Sequence, residues 1–171
     1  IQAIRSRGVG CLNWSAKAHS LQQRVEFIHH HLDHSPAVKK QFADRPLPDF
    51  SEQGLSESLE EWLQPHLSGE NSLKQCLKLD LYSLLLNRLS WEQQQLIKQL
   101  APERISVPSG SSVSIDYSDP AQPVLAVRLQ ELFGLFDTPT VMNGQCKLMM
   151  HLLSPARKPM QVTQDLNSFW K

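Results

Sequence analysis

Four histidines stand close together in the chain: His29, His30, His31 and His34. His30 and His34 are four residues apart, the spacing at which two imidazoles on one helix can share a metal ion. No third ligand follows at a fixed spacing. Leu21, Val25, Ile28 and Leu32 step by 4, 3 and 4 through the same segment and claim the buried face. The cluster therefore reads as a solvated helix face, and no metal site is predicted. His19, His66 and His151 have no partner signature.

Phosphate-cradling chemistry needs a loop of backbone N–H groups with a lysine behind it, as in GxxxxGK[ST]. The nearest turn, Pro108-Ser109-Gly110-Ser111-Ser112, has no lysine and reads as a hairpin turn. There is no GxGxxG, HExxH or GxSxG, and no pair of carboxylates stands out as an acid/base couple. No catalytic residue and no cofactor is assigned to this chain. The remaining chemistry is contact with nucleic acid. Arg104, Lys147, Arg157 and Lys158 could meet phosphates, and Tyr117 could offer a ring for a base. Arg128 and Lys171 add positive charge, while Glu103, Asp116, Asp119, Glu131, Asp137 and Asp165 balance it. Arg128 stands three residues before Glu131, which predicts a structural ion pair rather than a phosphate contact. Phe133, Phe136 and Trp170 could add further platforms, and a place in the core is the reading favoured for them.

These residues need elements to hold them. From residue 14 to residue 100 the apolar spacing is helical. One stripe is Leu21 to Leu32. A second runs Leu55, Leu59, Trp62 and Leu63. Asp80 is expected to cap a third helix that buries Leu81, Leu84, Leu85 and Leu89, and Ser90 a fourth with Leu96, Ile97 and Leu100 inward. In that fourth helix Glu92 and the glutamines are expected to face solvent, and Pro102 ends it. Arg45-Pro46-Leu47-Pro48 reads as an extended linker. A proline-rich ligand motif is the alternative.

After Pro102 the period falls to 2. Residues 104–107 and 113–117 make a hairpin around the Pro-Ser-Gly-Ser turn. Val124-Leu125-Ala126-Val127 reads as a strand buried on both faces, feeding a short helix over 129–133 that Gly134 stops. Asn143-Gly144 predicts a two-residue type I′ turn. Thr163 is expected to cap a last helix. Val107, Val113, Ile115, Val124, Val127 and Leu132 are the predicted core of this half. The pattern predicts an α+β chain: a helical connecting region over 1–100, then over 103–171 a small OB-like β-barrel portion with an inserted short helix and a C-terminal helix.

The 171 residues are 40% hydrophobic and 20% charged, enough apolar material for a core. Seventeen basic residues meet seventeen acidic ones, so the net charge is zero, which argues against a strongly basic nucleic-acid clamp or a polybasic membrane binder. No apolar run approaches the roughly 18 residues of a bilayer span. Cys11, Cys76 and Cys146 are odd in number and form no CxxC, which fits a reducing, cytoplasmic compartment. The chain starts at Ile1 and ends on Phe169-Trp170-Lys171, and is expected to be a piece of a longer protein.

The segments ERISVPSGSSVSIDYSDP (103–120), PVLAVRLQELFGL (123–135), HLLSPARKP (151–159) and QVTQDLNSFWK (161–171) resemble the C-terminal region of bacterial HrpB-type ATP-dependent helicases, in the DEAH/RHA group of superfamily 2. LEEWLQP (59–65) and LDL (79–81) extend the resemblance through the helical part. At 29–31 this chain has three histidines where such proteins tend to carry arginines. The resemblance implies a parent that hydrolyses ATP with Mg and acts on RNA, with the motor domains elsewhere in the same polypeptide. It implies no catalytic residue here. Two roles follow for the chain. One is an accessory region that weakly holds single-stranded RNA for the motor. The other is a structural or protein-interaction region that braces the motor.

Overall fold

The computed structural model describes residues 2–66 and 78–170. The helical half runs α1 (Gln2–Arg7), a 3₁₀ turn (Val9–Cys11), α2 (Ala16–Leu32), α3 (Pro36–Gln41), α4 (Glu52–Glu57), α5 (Leu59–Trp62), a 3₁₀ turn (Gln64–His66), α6 (Leu81–Asn87) and α7 (Trp91–Leu100). α2 starts where the Ser15 hydroxyl accepts the Ala18 N–H at 3.1 Å. It buries Ala18, Leu21, Val25 and Ile28, and also Arg24 and Phe27. Leu32, at its end, is only half-buried.

The second apolar stripe does fill the core, with Leu55, Leu59 and Leu63 fully buried and Trp62 nearly so. It is carried by α4 and α5 rather than one helix. At the break the Ser58 hydroxyl donates to the Gly54 carbonyl at 2.7 Å, competing with the backbone ladder. Asp80 takes the N-cap position of α6 in extended conformation, but its side chain makes no capping bond to the backbone; its carboxylate accepts the Ser83 hydroxyl at 2.7 Å. α7 opens with a full capping box between Ser90 and Gln93. Gln93 corrects the expectation of a solvent-facing glutamine. It is 4% exposed, and its amide donates to the carbonyls of Arg45 and Pro46 at 3.0 and 3.3 Å. The 46–50 linker is thus pinned, with Leu47 and Phe50 driven inward.

In the β-rich half, β1 (Arg104–Ser106) pairs antiparallel with β2 (Ser112–Ser114), and Ile105 faces Val113 in the register. β3 (Val124–Arg128) runs parallel to β6 (Met149–Leu153), which pairs antiparallel with β7 (Pro159–Thr163). β3 buries one face only: Leu125 and Val127 point inward while Ala126 is exposed. Between β3 and β6 come a 3₁₀ turn (Leu129–Leu132), Gly134 at φ 99°, and a hairpin of β4 (Thr140–Val141) and β5 (Cys146–Lys147). Asn143 and Gly144 take φ 54° and 87°, and the Gln145 N–H closes the two-residue turn on the Met142 carbonyl at 3.1 Å. The last helix, α8 (Leu166–Trp170), is capped by Asp165, not Thr163: the Asp165 carboxylate accepts the Ser168 N–H at 3.0 Å.

The chain is α+β, and its strands form three small sheets, β1-β2, β3-β6-β7 and β4-β5. They do not close into a barrel among the described residues. A single bridge, Asp116 to Val124, links the first hairpin to β3. Val107, Ile115, Val127 and Leu132 are buried as expected, whereas Val113 and Val124 are half-buried.

One apolar cluster runs through both halves, with the Phe27 and Tyr117 rings 5.1 Å apart across the junction. Cys11 and Cys146 are free thiols; Cys76 and Lys171 lie outside the described residues. Among the described residues no helix is long and apolar enough to cross a membrane.

Candidate nucleic-acid interface

Two of the five candidate contact residues meet in one cleft. Arg104 and Arg157 line a cleft of about 460 Å³ together with Ser111, Ser112, Ser114 and Glu131. The β-register explains the serines. Arg104 on β1 stands opposite Ser114 on β2, and period 2 puts Ser112 on the same face. The Arg104 guanidinium donates from Nε to Ser112 Oγ at 3.0 Å, from Nη1 to Ser114 Oγ at 2.8 Å and from Nη2 to the Ser112 carbonyl at 2.6 Å. A guanidinium has five N–H groups, so two are left for an incoming acceptor. The planar fork is oriented before any ligand arrives.

Arg157 is presented by a tight loop. Its N–H donates to the Ser154 carbonyl at 2.8 Å, and the Ser154 N–H donates to the Lys158 carbonyl at 2.8 Å. Arg157 takes φ 63°, a left-handed conformation uncommon outside glycine, and both it and Lys158 are exposed. Lys158 adjoins the cleft in sequence without lining it. Lys147 sits exposed on β5, away from the cleft lining, where its carbonyl accepts the Gln122 amide at 3.0 Å.

Tyr117 is a structural residue rather than a stacking platform. It is 3% exposed, and its hydroxyl donates to the Pro102 carbonyl at 2.7 Å. Burial pushes its phenol well above the usual range. In this half Phe133 and Phe136 are exposed, at 63% and 66%, contrary to the core placement that the patterning favours for them. Trp170 is half-buried, lies 6.0 Å from Phe133, and donates its indole N–H to the Leu135 carbonyl at 2.6 Å. The short 3₁₀ turn explains the inversion: it buries Leu132 and turns the next side chain outward.

The expected Arg128–Glu131 ion pair does not form. Glu131 instead receives the Ser109 hydroxyl at 3.4 Å, and Arg128 has a buried Nε without a hydrogen-bond partner. In the cleft two guanidiniums therefore face one carboxylate, a weak positive excess suited to a single anionic group. Of the four clustered histidines, His30 and His34 are exposed, whereas His29 and His31 are half-buried. His29 Nε2 lies 2.7 Å from the Pro48 carbonyl. His31 packs on Phe27 at 4.7 Å, and burial lowers its pKa. Among the described residues no three His, Cys, Asp or Glu side chains converge as a metal site.

Sequence reasoning names Arg104 and Arg157 as separate candidates and does not name the serines that orient the first. The strict alternation Ser112-Val113-Ser114 opposite Arg104 was the available signal.

Residues 62–171 match the family model described as ATP-dependent helicase C-terminal, of HrpB type. The chain belongs to that family. It is 37% identical over 171 residues to the ATP-dependent RNA helicase HrpB of Escherichia coli (strain K12), covering all of this chain and 20% of that protein. It also resembles the crystal structure of the E. coli DExH-box NTPase HrpB, with TM-score 0.80 and 37% identity over 98% of this chain and 19% of that one. A structure of the Escherichia coli DEAH/RHA helicase HrpB matches with TM-score 0.75 and 35% identity over 99% of this chain and 20% of that one. This chain thus spans about a fifth of the length of these HrpB proteins.

Proposed function

We propose that this HrpB-type C-terminal region is a non-catalytic accessory part of an ATP-dependent RNA helicase, and that its Arg104–Arg157 cleft holds one phosphate of a single strand. The observation that carries the reading is the Arg104 guanidinium, fixed by Ser112 and Ser114 and facing the same cleft as Arg157. An oriented fork and a second cation suit a phosphodiester oxygen pair. ATP and Mg belong, in this reading, to motor domains in the same cytoplasmic polypeptide, and this chain supplies no group to hydrolysis. The helical region over 1–100 connects, and the portion over 103–171 acts as an opened OB-like platform. Its ribbon runs β1, β2, β3, β6, β7, with the 3₁₀ turn inserted after β3. Lys158, beside Arg157, adds a second, more solvated contact, and Lys147 a peripheral one.

The contact is weak by construction, because Glu131 sits in the same cleft. A labelled single-stranded RNA titrated across a salt series tests it. Each phosphate contact on a single strand contributes a slope of roughly −0.7 in log K against log salt. Two or three contacts give a total between about −1.4 and −2.1. Replacing Arg157 and Lys158 with Ala is expected to remove most of that slope without changing thermal stability, since exposed loop charges contribute little to folding. An unchanged slope, or no binding by the parent at low salt, refutes the reading and leaves bracing of the motor as the role.

A further inference from the structure

A second concave surface lies in the helical half, formed by the end of α2, by α3 and by the 42–47 stretch, with a volume of about 460 Å³. Its floor is apolar: Leu32, Pro36, Phe42, Ala43 and Leu47 line it. Lys39 and Lys40 stand among the lining residues, and no carboxylate does. The third titratable group there, His29, is held by the Pro48 carbonyl at 2.7 Å. Lys39 makes one ion pair, to Asp33 at 3.3 Å, with the two side chains 64% and 82% exposed, so water screens it and an incoming carboxylate can replace it. Asp44 is exposed and does not line the groove. Lys40 has no ion pair among the described residues.

Polar bonds hold the walls apart. The Gln93 amide ties down the carbonyls of Arg45 and Pro46, and Pro36 fixes the first turn of α3. A groove held open in this way loses little conformational freedom when it is filled. It leaves Leu32 half-buried, although that residue continues the stripe that α2 otherwise buries. From this we infer that the groove docks a partner-protein segment that inserts one bulky apolar side chain over Leu32 and Leu47 and sets flanking carboxylates against Lys39 and Lys40. The apolar floor favours such a segment over a nucleic-acid strand, whose phosphates would gain from the lysines and nothing from Phe42 or Pro36.

The test uses the 171-residue chain and a fluorescein-labelled peptide in which Phe-Leu is flanked on both sides by Asp and Glu, read by fluorescence polarisation. Saturable binding is expected, lost when the flanking acids are replaced by Lys or the Phe-Leu by Ser-Ser. The double variant Lys39→Glu, Lys40→Glu is expected to weaken binding by about tenfold or more, because like charges then face each other. Ala43→Phe, which fills the groove from an exposed position, is expected to weaken it comparably. Should Ala43→Phe fail to fold, the lysine variant alone decides, since both its positions are exposed. No saturable binding, or equal binding by parent and lysine variant, overturns the inference. So does a single-stranded RNA that displaces the peptide and itself depends on Lys39 and Lys40. Arg157→Ala leaves peptide binding unchanged, which keeps this result separate from that of the Arg104–Arg157 cleft.

Discussion

Arg24 is the residue whose replacement most directly tests how the two halves are joined. It lies in the middle of α2 and is only 7% exposed. Its Nε donates to the Ala101 carbonyl at 2.7 Å and its Nη1 to Glu103 at 3.1 Å, which tethers the start of the β-rich half to the longest helix. The two bonds are unequal. Ala101 is fully buried, so its carbonyl has no water to turn to, whereas the Glu103 side chain is 55% exposed. Burial lowers the Arg24 pKa, with Glu103 only partly compensating, so the guanidinium itself is held at some cost. Arg24→Met keeps most of the stem volume and relieves that cost, but orphans the carbonyl. A hydrogen bond from a charged donor contributes about 1.5–3 kcal/mol, and with the relief subtracted the net loss is about 2 kcal/mol. For a chain of this size that lowers Tm by about 4–8 °C. Glu103→Gln, at a screened position, is expected to cost less than about 1 kcal/mol. Urea unfolding followed by circular dichroism measures both. If Arg24→Met unfolds with the parent, or Glu103→Gln costs as much as Arg24→Met, the buried carbonyl is not what fastens the halves.

The phenol of Tyr117 is held protonated above its unfolded pKa of 10.0, so its contribution is complete below pH 10 and falls as pH rises beyond it; Tyr117→Phe should flatten that alkaline decline relative to the parent in urea titrations. His31 is shifted the other way by burial, so its contribution is present above the unfolded pKa of 6.5 and falls as pH drops through that value; His31→Gln should remove this part of the acid destabilisation, read as Tm between pH 7 and pH 5. Gly54→Ala gains about 1 kcal/mol of helix propensity, yet the new Cβ meets the Asp49 backbone carbonyl oxygen at 2.7 Å, which cannot swing away; net destabilisation of about 1–2 kcal/mol is expected, against no clash at Gly10→Ala. The purified chain should show no ATP turnover with or without RNA, and phosphate release that scales with protein through repurification would contradict this.

Local chemistry was legible along the chain. The Leu21–Val25–Ile28 stripe, the Ser90 cap, the hairpin on either side of Gly110 and the Asn143-Gly144 turn all rest on spacing and backbone preference within a few residues, and the folded chain keeps them. The string of short motifs over 103–171 was likewise enough to place the chain in its family. What depends on a distant partner was not legible. Gln93 is polar and sits in a helix, and only the approach of the 45–46 carbonyls, 47 and 48 residues away in sequence, makes an inward position favourable. Phe133 is apolar and follows the buried Leu132, yet the turn that positions it points its ring outward, 63% exposed with only Trp170 beside it at 6.0 Å among the ring contacts of the described residues. Arg104 and Arg157 are 53 positions apart in the chain, and sequence could offer them only as separate cations. The hairpin register and the 154–158 loop bring them to one cleft. Burial and convergence are sums over contacts that the chain makes only when folded, so tertiary structure alone decided which charges face each other and which ring meets water.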